Sequence, residues 1–175
     1  IRSSVVTTSR TEIGAITNLG RLIRLSPIDL PQVPENSVQL AAGAKVAEYL
    51  ALDAKGERVI ALVSLNSDAP IALGTKQGIV KRIAAGEYPN RPDFEVITLK
   101  DGDEIVGVAQ GSDAEELVFV TSDAQLLHFS AGSVRPQGRS AAGMSGIRLS
   151  SGAVVINFTS VDPGSDAVVA TISTH

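Results

Sequence analysis

Cysteine and tryptophan are absent from this chain, and aromatic residues make up only 3% of it. Without thiols there are no disulfide staples and no thiolate metal sites, a composition suited to a reducing cytoplasm. With so few rings, any core must be built from Val, Ile, Leu and Ala, which dominate the 43% of hydrophobic residues. That share is enough for a buried core and argues against wholesale disorder. No run of about 18 apolar residues occurs, so no membrane-spanning helix is expected. No secretory leader is visible, and a start at Ile1 without Met suggests an excised fragment.

Histidine is scarce too, and with it the usual means of catalysis. Only His128 and His175 occur, and His128 has no histidine or carboxylate at the spacing of a metal site or catalytic triad. Gly107 and Gly111 do not precede a helical pattern, and Gly74 to Gly78 lacks the Lys-Ser/Thr ending of a phosphate-cradling loop. Asp101, Asp103 and Glu104 crowd one turn without the spacing of a calcium loop, and solvated turn carboxylates explain them. No catalytic residue, metal site or cofactor site is expected in this chain.

The net charge of −4 argues at first against a nucleic-acid partner, but the charges are unevenly spread. Between Glu87 and Asp123 acids crowd together with only Arg91 and Lys100 among them. From Ala124 to Val161 there is no acid, while His128, Arg135, Arg139 and Arg148 are present. Segregation of this kind fits a basic face on an acidic domain, and equally ordinary scatter between loops.

What the chain does have is repetition. Three segments align without gaps: Thr17-Asn18-Leu19-Gly20-Arg21-Leu22-Ile23-Arg24-Leu25, Thr75-Lys76-Gln77-Gly78-Ile79-Val80-Lys81-Arg82-Ile83 and Thr121-Ser122-Asp123-Ala124-Gln125-Leu126-Leu127-His128-Phe129. Each reads as strand, tight turn, strand, with Gly20 and Gly78 at a turn position of positive φ. In the third copy Ala124 replaces the glycine, and Asp123 is expected to take the strained position. Strands before each turn (12–17, 71–75, 117–121) and closing strands (58–63, 104–108, 154–158) complete units of about 40–50 residues. Ala167 to Thr171 is expected to open a fourth. The units run 9–63, 68–108, 114–158 and, in part, 165–175. An all-β, propeller-like array of four-stranded antiparallel blades, about three and a half of them, is the expected fold.

Side chains alternate between the faces of a strand. In the second hairpin strand, Ile23/Leu25, Lys81/Ile83 and Leu127/Phe129 fall on one face, and Leu22/Arg24, Val80/Arg82 and Leu126/His128 on the other. Arg24, Arg82 and His128 thus recur at one repeat position, either as one cation per blade facing the phosphates of a duplex or as solvated hairpin residues. The basic residues expected on a DNA-holding rim are Arg21, Arg24, Lys76, Lys81, Arg82, Arg91, Arg135, Arg139 and Arg148. Two other classes remain open. A protein-binding propeller would want aromatic anchors that the loops lack, and a propeller enzyme would need clustered carboxylates or a metal.

A family resemblance is carried by Gly78-Ile79-Val80-Lys81-Arg82 with Glu87-Tyr88, and by Val134-Arg135-Pro136-Gln137-Gly138-Arg139 running on to Gly143-Met144-Ser145-Gly146-Ile147-Arg148-Leu149. Together these resemble the C-terminal domain of the A subunit of bacterial type IIA topoisomerases, gyrase and topoisomerase IV, over essentially the whole chain. The resemblance implies a β-pinwheel whose neighbouring blades exchange strands and whose basic rim binds and bends double-stranded DNA by backbone contacts. It further implies a cytoplasmic, nucleoid-associated parent enzyme using ATP and Mg2+, with the catalytic tyrosine elsewhere. The implied partners are the ATPase B subunit, and the catalytic region of the same A subunit. Gyrase A subunits carry a Gln-Arg-Arg-Gly-Gly-Lys-Gly type box in the loop of the first blade. Here the loop from Pro27 to Ala44 has no Arg, so the resemblance leans to topoisomerase IV.

Overall fold

The computed structural model describes residues 2–37, 43–52 and 54–172. Three antiparallel hairpins form its frame: β1 (Ile13–Thr17) with β2 (Arg21–Leu25), β4 (Ile71–Thr75) with β5 (Ile79–Ile83), and β8 (Glu116–Thr121) with β9 (Leu126–Ser130). The aligned threonines are equivalent in space as well as in sequence. Thr17, Thr75 and Thr121 are buried at the ends of their strands, and each Oγ1 accepts a hydrogen bond from the backbone N–H four residues on. Their carbonyls accept from Gly20, Gly78 and Ala124. These three residues have φ of 84°, 84° and 61°. Ala124 itself, not Asp123, therefore holds the left-handed position in the third turn. Asp123 turns its carboxylate to the Thr121 hydroxyl instead.

Each hairpin gains a closing strand on the side of its first strand: β3 (Val59–Ser64), β7 (Ile105–Gln110) and β11 (Val155–Val161). The fourth strand comes from the following repeat. β6 (Asp93–Glu95) completes the first sheet in the order β3-β1-β2-β6, and β10 (Met144–Ser145) completes the second as β10-β5-β4-β7. The third sheet has three strands, β11-β8-β9. Ala167 to Thr171, expected to open a fourth unit, form no strand, and Val168 and Ile172 are almost fully exposed. A strand needs a hydrogen-bonded neighbour, and this segment has none among the described residues. The longest described helix, α1 (Val46–Tyr49), has four residues.

The sheets stack face to face. Ile16, Leu22, Val63, Ile71, Leu73, Ile83 and Phe94 belong to the core between the first and second blades. Val80, Leu117, Phe119, Ile147, Val155 and Phe158 fill the space between the second and third. The blades come so close that a Cβ at Gly74 would overlap the Phe158 ring. Polar groups join the blades as well. The Gln110 side-chain amide both accepts from Ser64 N–H (2.9 Å) and donates to Ser64 C=O (2.8 Å), acting as one more rung between β7 and β3. Ile105 N–H donates to Asn18 C=O, and Val155 N–H repeats the contact on Lys76 C=O one blade later.

Candidate nucleic-acid interface

The recurring basic position meets a carboxylate in every repeat. Arg24 donates to Glu12 Oε2 (2.8 Å) and to Pro89 C=O. His128 Nδ1 meets the Glu116 carboxylate. Glu12 and Glu116 stand at the same repeat position, five residues before the marker threonine, where the second repeat has Pro70. Lacking that carboxylate, Arg82 turns inward. Its Nη1 donates to Ala131 C=O (2.8 Å) and Val134 C=O (3.1 Å), and its Nη2 to Asp113. Arg82 is 2% exposed, which corrects the expectation that it stands on an open rim. It fastens the short turn Ala131–Ser133 of the third repeat to β5 of the second.

Lys81 is also buried, at 1% exposure. Its ammonium donates to three carbonyls: Val96 (2.7 Å), Arg139 (2.5 Å) and Ala141 (2.9 Å). Three donors meeting three acceptors is the full capacity of an ammonium group. Burial, reinforced by the positive charge of Arg139, lowers its pKa to about 8. The sequence carried a signal for this placement, because Lys81 aligns with Ile23 and Leu127 on the apolar face of the hairpin. Like Arg82, it stands inside the array and not on an open rim.

Two other expected contacts are engaged by carboxylates. Arg21 forms a fork on Glu57 (2.9 and 3.0 Å) and reaches Asp93, and these partners raise its pKa. Lys76 and Arg58 flank Glu104 at 3.5 and 3.0 Å. The Asn18 amide first, then these two cations, hold the Glu104 carboxyl below its ordinary range.

Four of the expected arginines remain available. Arg91, Arg135 and Arg148 are exposed, and their guanidinium groups make no ion pair or hydrogen bond among the described residues. Arg139 is partly exposed, with its guanidinium 5.7 Å from the centre of the Phe94 ring, a cation–π contact that leaves its N–H donors free. Arg91 lies just before β6, while Arg139 and Arg148 flank β10. These are the outermost strands of the first and second sheets, so the available cations stand where the chain crosses the blade edges. Arg2, Arg10, Lys55 and Lys100, outside the expected set, are likewise exposed and unpaired among the described residues. No group of histidine and acidic side chains suited to a metal occurs among the described residues. No described helix is long and apolar enough to cross a membrane.

Stacked antiparallel blades, each complete one taking its outer strand from the next repeat, define a propeller-like β-pinwheel. The chain matches the family model of the DNA gyrase C-terminal domain, beta-propeller, over residues 70–91, 95–111 and 115–162. It is 30% identical over 162 residues to the DNA gyrase A subunit of Staphylococcus epidermidis, covering 90% of this chain and 18% of that protein. The same identity is found with the gyrase A subunit of Mycobacterium tuberculosis, over 89% of this chain and 19% of that protein. Among solved structures it resembles the C-terminal domain of DNA topoisomerase IV (TM-score 0.75, 23% identity, 87% of this chain and 48% of that one). It also resembles the E. coli ParC C-terminal domain (TM-score 0.70, 17% identity, 90% and 64%). At such identities these two likenesses speak for the fold. The chain belongs to the family of C-terminal domains of type IIA topoisomerase A subunits, and it spans less than a fifth of the gyrase proteins it matches.

Proposed function

We propose that this domain holds a segment of double-stranded DNA along its blade edges through phosphate contacts, bends it, and presents it to the catalytic region of its own A subunit. The observation that carries this reading is the set of unpaired arginines, Arg91, Arg135 and Arg148 with Arg139, on segments that flank the outer strands. Phosphate contacts ask only for charge and reach, which these exposed arginines supply. No described helix is long enough to read a major groove in the helix-in-groove manner. The domain itself would carry no catalytic residue and bind no cofactor. ATP and Mg2+ would act elsewhere in the parent enzyme, and a further partner in the cytoplasm would be the ATPase B subunit. The absence of Arg between Pro27 and Ala44 favours a topoisomerase IV parent over a gyrase.

A salt series of duplex binding by fluorescence anisotropy tests the reading. The logarithm of affinity should fall linearly with the logarithm of salt, with a slope of about −0.9 per phosphate neutralised. Arg135→Ala and Arg148→Ala should each reduce that slope by about 0.9 while leaving the ranking of duplex sequences unchanged. Binding that ignores salt would overturn the phosphate mechanism, and a loss confined to one sequence would point to base reading.

A further inference from the structure

Arg91 and Arg139 belong to different repeats, yet they line one cleft of about 310 Å3 together with Phe94, Glu95 and Ser140. The backbone of each is held in place. Arg91 sits in a tight turn between Pro89 and Pro92, with its N–H on Pro89 C=O (2.9 Å), and two prolines restrict that backbone. Arg139 is fixed twice: its carbonyl accepts from the buried Lys81 ammonium (2.5 Å), and its guanidinium lies against Phe94. Neither guanidinium has an acceptor among the described residues.

The geometry points to a seat for one DNA phosphodiester between Arg91 and Arg139, at the junction of the first and second blades, with Lys81 as the residue that positions Arg139 for it. The inference rests on the reading of this domain as a duplex binder and adds where, and by what pair, one phosphate is gripped. Two guanidinium groups and the single Glu95 carboxylate leave the cleft with one net positive charge, the complement of one phosphodiester. The buried Lys81 ammonium does not compete for the anion, since all three of its donors are already used on backbone carbonyls. Because the two arginines come from consecutive repeats, a phosphate held here ties the duplex to the boundary between blades.

A mutant cycle on this chain tests the seat, using Arg91→Ala, Arg139→Ala and their combination in the same salt series. Two arginines on one phosphate count as one neutralised charge. Each single change should therefore lower affinity about two- to fivefold with little change of slope, whereas the double change should reduce the slope by about 0.9. Slope losses of about 0.9 for each single variant and about 1.8 for the double would show two separate phosphates and overturn the seat. So would a double variant that binds like the wild type. If the unaltered chain fails to bind duplex at all, the functional reading itself has failed, which is a different result. Lys81→Met should weaken binding as Arg139→Ala does and add nothing in an Arg139→Ala background. An additive loss there, with melting unchanged, would remove Lys81 from the positioning role. Titrating millimolar inorganic phosphate, followed through the arginine Nε–H resonances by NMR, separates a seat for polymer phosphate from one that takes any free phosphate. The resonances should shift with duplex and stay still with phosphate alone. Saturation by free phosphate at the same residues would overturn the assignment to DNA.

Discussion

Replacing Arg82 with Ala should unfold the domain more easily and leave the electrostatics of DNA binding untouched. Arg82 gives two hydrogen bonds to the carbonyls of Ala131 and Val134, residues each 3% exposed. A hydrogen bond from a charged donor is worth roughly 1.5–3 kcal/mol, and the lost aliphatic stem adds packing. Two effects work the other way. The variant no longer carries the cost of a buried guanidinium, and Asp113, whose side chain is 75% exposed, returns to water. The balance is a loss of about 3 kcal/mol. For a domain of this size that lowers the melting temperature by about 6–12 °C. Arg82→Lys should fall between, since an ammonium cannot reproduce the planar fork. Differential scanning calorimetry gives the first quantity and the salt slope of duplex binding the second. An unchanged melting temperature with a slope reduced by about 0.9 would show that Arg82 faces the duplex and that its inward contacts are dispensable.

Three further outcomes follow from the same contacts. Ala124→Gly should stabilise the domain by about 0.5–1 kcal/mol in urea titrations, because an alanine at φ 61° bears a left-handed penalty that glycine escapes, less the extra freedom of the unfolded chain. Gly74→Ala should destabilise it by about 1–3 kcal/mol, since the new methyl runs into the Phe158 ring; adding Phe158→Leu should recover part of the loss. Lys81, with its pKa lowered to about 8, binds its proton more weakly folded than unfolded. Between about pH 8 and the ordinary lysine value near 10.4 the unfolded chain holds more protons, so this group makes stability rise with pH across that window. The urea midpoint of the wild type should rise over that range relative to Lys81→Met, and a parallel or falling difference would contradict the sign.

The fold was legible because the hairpins repeat the same local chemistry. A threonine at the strand end was visible three times and a glycine of positive φ three positions on twice, while in the third copy the strained position was expected one residue early, at Asp123. The continuous apolar run Leu117 to Val120 marked a strand covered on both faces. The outer strands were not legible in the same way. β6 and β10 have three and two residues, too few for a period, and their role depends on a repeat that lies elsewhere in the chain. Ala167 to Thr171 shows the converse, a strand-like pattern with no paired neighbour among the described residues. Among the candidate site residues charge type was readable, but direction was signalled only for Lys81, which aligns with the apolar Ile23 and Leu127. Arg82 and Arg24 share a repeat position but differ in surroundings, because Glu12 has Pro70 as its counterpart in the second repeat. Aligning carboxylates as well as cations would have exposed that difference. Phe94 and Asp113, which hold Arg139 and Arg82, carried no sequence signal, because their importance arises from contacts across repeats.

The borrowed outer strands mean that the chain has no place where one blade ends and the next begins. Excising the residues of the second repeat would strip β6 from the first sheet as well as removing the centre of the second. The cut would also break the Gln110 amide bridge to Ser64. Inheritance or engineering that adds and deletes single units, as in solenoids whose repeats touch only through their faces, would here leave an unpaired sheet edge at every junction it made. Such edges invite association with other chains. Workable lengths for this architecture are therefore set by how its ends are covered, and a viable truncation must carry the next repeat's short strand along with the hairpin it serves.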